Sequence, residues 1–85
     1  MSAQSSPVLL EVISPEKTLV SCRVDSVELP GTVGRFVVLR DHAPLVSSLE
    51  SGEIVYGGEG GTGRIAISSG FVEVLDNHVT ACVEL

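Results

Sequence analysis

Hydrolytic chemistry by a serine triad needs Ser, His and Asp, and the chain carries all three, with Asp41 and His42 adjacent. Adjacent strand residues point to opposite faces, so this pair does not make a His–carboxylate dyad on its own. No Gly-x-Ser-x-Gly elbow accompanies it, and a triad is defined by a geometry that nothing here signals. The acidic residues Glu28, Glu50, Glu53, Glu59, Glu73 and Glu84 fall in different segments. Glycosidase chemistry needs two carboxylates facing each other across a cleft, and a calcium loop needs a dense run of oxygen ligands. Solvated strand faces account for these glutamates better. Cys22 and Cys82 are far apart in sequence. His78 with Cys82 supplies two metal ligands where a structural zinc site takes four. The glycine-rich residues 57–63 lack the Lys-Ser/Thr ending and following helix of a phosphate-binding loop, and read as a flexible hairpin tip. No catalytic, cofactor-binding or metal-binding residue is assigned, and the expectation is a protein that is not an enzyme.

Composition narrows the partners. At 85 residues the chain is long enough for one small domain. Its 44% hydrophobic content argues for a packed core, filled by Val, Leu and Ile because aromatics are few. The formal net charge of -6 excludes the basic footprint that nucleic acid or anionic lipid requires. The cysteines read as buried small hydrophobes in a reducing compartment, with a Cys22–Cys82 disulfide open if the two lie on paired strands. The first residues offer neither a basic region nor an apolar stretch, so no leader is expected. The chain is expected to be soluble, reaching a membrane only through a partner.

The elements that must carry any site are strands. Residues 1–7 read as a flexible tail and 8–85 as the domain. Val8 to Ile13 alternates, with Leu10 and Val12 on one face. Ser14-Pro15-Glu16 is a turn. Thr18 to Val24 alternates again, Asp25-Ser26 marks a bend or bulge, and Val27 to Leu29 resumes. Pro30-Gly31 opens an exposed loop through Arg35. Phe36 to Leu39 is an unbroken apolar run, read as a strand buried on both faces. Leu45 to Leu49 and Glu53 to Tyr56 follow, then Arg64 to Ser68 with Ile65 and Ile67 inward. Ser69-Gly70 reads as a turn. Phe71 to Leu75 and His78 to Val83 form a hairpin about Asp76-Asn77, a pair suited to positive φ. Short strands at close spacing with no convincing helix mean an all-β sandwich or barrel. Tyr56, Phe36 and Phe71 lie within apolar strands and read as core.

The central corner is Leu39-Arg40-Asp41-His42-Ala43-Pro44-Leu45. Ala43 precedes proline and is extended. Pro44 cannot donate to a ladder and belongs at a strand start or edge. Asp41 tolerates a turn conformation. The stretch reads as strand, corner, strand, with His42 displayed.

Three motifs then carry a resemblance: Leu10-Glu11-Val12-Ile13-Ser14-Pro15-Glu16, Asp41-His42-Ala43-Pro44-Leu45, and Ser68-Ser69-Gly70-Phe71-Val72-Glu73-Val74. In order and spacing they resemble the N-terminal domain of the F-type ATP synthase epsilon subunit, from about Val8 to Glu84. The resemblance implies a flattened sandwich of ten strands in two sheets, without substantial helix. It implies a central-stalk rotor subunit that clamps the γ subunit to the membrane c ring, couples proton translocation to ATP synthesis, and does no chemistry. Its implied place is peripheral, on the cytoplasmic face of the bacterial inner membrane. By position, Ser14, His42 and Ser47 are implied to face γ. Gly31, Thr32, Val33, Gly34 and Arg35 are implied to touch the c ring.

The chain departs from the family at Arg40-Asp41, where Pro-Gly is frequent, and at Ser69, where a second glycine is. Arg35 stands where acidic residues are common. Many members continue into a helical hairpin that binds ATP and inhibits hydrolysis; the sequence stops at Leu85, and the expectation is a subunit without those functions. A free-standing ligand-binding sandwich is the alternative, weakened by the absence of exposed loop aromatics.

Overall fold

A computed structural model describes residues 7–59 and 61–85. The described residues hold nine strands and no helix. They are β1 (Val8–Ile13), β2 (Thr18–Val24), β3 (Ser26–Pro30), β4 (Arg35–Leu39), β5 (Leu45–Leu49), β6 (Gly52–Gly58), β7 (Gly61–Ile67), β8 (Ser69–Leu75) and β9 (His78–Glu84). The five-stranded sheet runs β2-β1-β9-β8-β5 and the four-stranded sheet β4-β3-β6-β7. The two-sheet sandwich is as expected, with nine strands in place of ten. An isolated bridge between Gly31 and Leu49 adds a further link outside the strands. Of the tail expected over 1–7, all but Pro7 lies outside the described residues.

Alternation builds the core. Val8, Leu10 and Val12 of β1 point inward with Val72 and Val74 of β8 and Val79, Ala81 and Val83 of β9. Facing them are Val27 and Leu29 of β3, Val38 of β4, Ile54 of β6 and Ile67 of β7. No polar or charged described residue is buried, so the inner layer carries no desolvated polar group needing a partner. Short β-branched side chains suit a thin layer between two pleated sheets.

The chain changes sheet at four places. Asp25 takes it from β2 to β3, with its N–H donating to the Gly57 carbonyl at 2.7 Å. The corner 40–44 returns it to β5, residues 50–51 lead to β6, and Ser68 leads to β8. At Ser68 both the N–H (2.8 Å) and the hydroxyl (3.2 Å) donate to the Glu84 carbonyl. The bend expected at Asp25-Ser26 is thus a crossover between layers. The turn expected at Ser69-Gly70 falls at Ser68, and both later residues belong to β8. Gly70 lies flat against β9: a Cβ there would sit 2.4 Å from the Cys82 carbonyl oxygen. The fold closes by a parallel pairing of β1 with β9, Leu9 beside His78 through Ile13 beside Cys82.

Several expectations are corrected. β4 is an edge strand, not one buried on both faces: only Val38 is buried, while Val37 and Leu39 are exposed. An apolar run does not specify how many neighbours its strand has. Residues 57–63 are mostly ladder rather than loop, since Gly57 pairs with Thr62 and Gly58 with Gly61. Phe71 is 53% exposed rather than core, whereas Phe36 and Tyr56 pack on the core margin. Cys22 is an exposed free thiol and Cys82 a half-buried one. β1 lies between their strands, which removes the basis for a disulfide.

Candidate interaction surfaces

Three surfaces gather the residues singled out by the sequence. The first is the corner. Asp41 adopts φ 62°, the left-handed region that glycine would occupy freely. It is held there by Asn77, itself at φ 62° in the β8–β9 turn. The Asp41 N–H donates to Asn77 Oδ1 at 2.6 Å, and Asn77 Nδ2 donates to Asp41 Oδ1 at 3.0 Å. The Asn77 carbonyl also accepts from the Leu9 N–H at 2.8 Å. Corner, hairpin turn and start of β1 are therefore one locked unit. His42 is half-buried on it, less displayed than the sequence suggests, with its Nδ1–H donating to the Ala43 carbonyl at 2.7 Å. Asn77→Ala removes two side-chain hydrogen bonds and a residue tolerant of positive φ. The expected cost is about 1–3 kcal/mol of stability, read by urea denaturation.

The second surface is the β3–β4 loop. Gly31 is buried, and a Cβ there would meet the Gly34 carbonyl oxygen at 2.7 Å and the Phe36 ring at 2.9 Å. The Thr32 N–H donates to Ser48 O and the Gly34 N–H to Gly31 O, both at 3.1 Å. This bracing projects Val33, which is 101% exposed. Arg35 does not project with it. Its Nη2 donates to the Glu53 carbonyl at 2.6 Å and its Nε lies 3.2 Å from Glu28 Oε2. Arg64 pairs with Glu53 at 3.3 Å on the same face.

The third surface is the outer face of the five-stranded sheet, which the sequence reading did not single out. Strand partners share a face, so the register fixes its rows. Ser48, Phe71, Cys82 and Ile13 form one row, and Val46, Glu73, Thr80, Glu11 and Ser21 the next. Leu75, His78, Leu9 and Arg23 form a third. Leu9, Val46, Phe71 and Leu75 are all exposed on it. A cavity of about 310 Å³ opens where this face meets the β1–β2 turn, lined by Ile13, Ser14, Pro15, Phe71, Cys82 and Glu84 among others. Four large apolar side chains exposed among polar ones on a single sheet face suit a surface that a partner covers. The sequence signal was present in Phe71-Val72-Glu73-Val74-Leu75, apolar on both faces, but it is the same signal a fully buried strand gives.

The positions Ser14, His42 and Ser47 do not converge. Ser14 sits beyond the end of β1, its hydroxyl donating to the Lys17 carbonyl at 3.2 Å. His42 belongs to the unit at the opposite end of β1. Ser47 is half-buried on β5 opposite Val72, on the core side, its hydroxyl donating to the Ser48 carbonyl at 3.1 Å. Ser14 and His42 instead flank the third surface from its two ends. Among the described residues no group of three His, Cys, Asp or Glu side chains could hold a metal, and no helix is long and apolar enough to cross a membrane.

Comparison with known proteins points one way. The family model for the ATP synthase, Delta/Epsilon chain, beta-sandwich domain matches residues 8–84. The ATP synthase epsilon chain of Nitratidesulfovibrio vulgaris is 43% identical over 75 residues, covering 88% of this chain and 56% of its own length. That of Desulfitobacterium hafniense is 48% identical over 71 residues, covering 84% and 54%. The chain therefore spans about half the length of the curated relatives it matches. In fold it is similar to a chain of the Euglena gracilis mitochondrial ATP synthase, a structure of OSCP/F1/c-ring. There the TM-score is 0.84 at 22% identity, covering 98% of this chain and 53% of that one. A chain of the Tetrahymena thermophila mitochondrial ATP synthase central stalk and c ring gives a TM-score of 0.80 at 13% identity, covering 98% and 67%.

Proposed function

The chain belongs to the ATP synthase delta/epsilon β-sandwich family, and from that premise we propose that it is a central-stalk rotor component that joins the γ subunit to the c ring. In this reading it does no chemistry and couples proton translocation to ATP synthesis by rotating with both partners. Its place is peripheral, on the cytoplasmic face of a bacterial inner membrane. The observation that carries the reading is the outer face of the five-stranded sheet. Four large apolar side chains stand exposed there on a sheet whose other face carries the buried core. Such a face is suited to a permanent subunit contact of at least ~800 Å² per partner.

The γ subunit covers that face in this account, with Ser14 at one end and the corner carrying His42 at the other. Ser47 acts from the core side by shaping β5. The c ring meets the β3–β4 loop, where Val33 is the projecting side chain and Gly31, Thr32, Gly34 and Arg35 set its position. Because Arg35 is engaged with Glu28 and Glu53, it stiffens the loop base and is not spent on the ring. Neither contact uses nucleic acid or lipid directly.

Reconstitution tests the proposal. An F-type ATP synthase lacking its epsilon subunit, in vesicles with the chain added, is expected to regain ATP-driven proton pumping. Unchanged leakage or uncoupled hydrolysis after saturating addition would contradict it.

A further inference from the structure

Resting on the γ-docking reading above, we propose that Glu73 fixes the partner's chemistry: it receives an arginine or lysine from the γ surface, set between two apolar contacts. Glu73 stands in the middle of the outer face. Val46 and Thr80 are its strand partners, and Phe71 and Leu75 lie two residues away along β8. Phe71, Val46 and Leu75 are all exposed. Two residues along a strand span about 6.6 Å, so the carboxylate lies between apolar contacts on either side.

The other carboxylate in that row already has a hydrogen-bond partner within the chain. Glu11 Oε1 lies 2.9 Å from His78 Nε2. Glu73 has no hydrogen bond or ion pair among the described residues. Covering Phe71 and Leu75 must also cover Glu73, and a carboxylate taken out of water without a cation is strongly disfavoured. The one arginine on the face, Arg23, lies on β2 at the far edge, across β1 and β9 from β8. The cation must come from the partner. The complementary surface is one Lys or Arg with apolar side chains about 7 Å to either side. An all-apolar partner would be rejected by the desolvated charge, so Glu73 sets specificity where Phe71 and Leu75 set affinity.

The test is the dissociation constant of the full chain for the cognate γ subunit, measured across a salt series for wild type, Glu73→Gln, Glu73→Lys and Phe71→Asp. Expected are a loss of about thirty-fold for Glu73→Gln, a larger loss for Glu73→Lys, and a flatter salt dependence for both. Glu73 is exposed, so both variants should melt like wild type. If Phe71→Asp abolishes binding while both Glu73 variants bind as wild type does, the inference fails and the docking reading stands. If Phe71→Asp also binds normally, γ does not use this face and both fall.

Discussion

Phe71→Asp is expected to abolish assembly with the γ subunit while leaving the chain folded. Phe71 is 53% exposed on the outer face and stands beside the cavity under the Ser14 turn. Its ring contributes nothing to the buried layer, so replacement should change stability by only about 0.5 kcal/mol. In the proposed assembly with γ the same side chain takes the role of an aromatic anchor. Truncating such anchors commonly costs 2–4 kcal/mol, and here a carboxylate would additionally be buried next to Glu73. A loss of at least about a hundred-fold in affinity follows. Calorimetric titration with γ, alongside urea denaturation of the isolated variant, separates the two effects.

Leu10→Ala is expected to have the largest effect on stability. Leu10 is fully buried, in a strand held between β2 and β9, and is among the largest of the fully buried side chains. Its neighbours are mostly valines fixed by strand geometry, which cannot reach into the space left behind. The expected cost is 2–5 kcal/mol. A domain of this size has about 5–10 kcal/mol in total, so the variant would sit close to its unfolding threshold. The midpoint of urea denaturation should fall by about a fifth or more with little change in slope. A shift of less than a tenth would mean that the two sheets close around the gap.

The sequence announced local structure well and neighbour relations poorly. Asp76-Asn77 carried the β8–β9 hairpin because two residues tolerant of positive φ between alternating strands admit little else, and both adopt φ above 50°. Asp41 at φ 62° shows the corner keeping the conformation expected of it without a glycine. The rest depended on contacts distant along the chain. Nothing in Val8–Ile13 or His78–Glu84 states that the first and last strands lie side by side in parallel. The four apolar residues 36–39 look like a central strand, yet they form an edge, because composition does not distinguish apolar side chains left exposed, such as Val37 and Leu39, from ones closed by the core. Phe71 was misassigned to the core for the same reason.

The candidate site divides similarly. Val33 was legible as exposed because a turn-rich loop surrounds it, whereas His42, read as displayed, is half-buried at the corner. The register that aligns Phe71, Cys82 and Ile13 in one row, and Glu73, Thr80 and Glu11 in the next, exists only once the sheet is assembled. Glu73 could be seen in the sequence as a solvated glutamate. Its position amid exposed apolar side chains, without the histidine that Glu11 has, could not.

The most direct test of the central claim is the mass in solution of the chain mixed with its cognate γ subunit at native salt. A stable one-to-one complex, lost with Phe71→Asp and weakened by a bulky charged substitution at His42, is the result expected of a rotor component gripping γ through this face. Two separate species at micromolar concentration would contradict it.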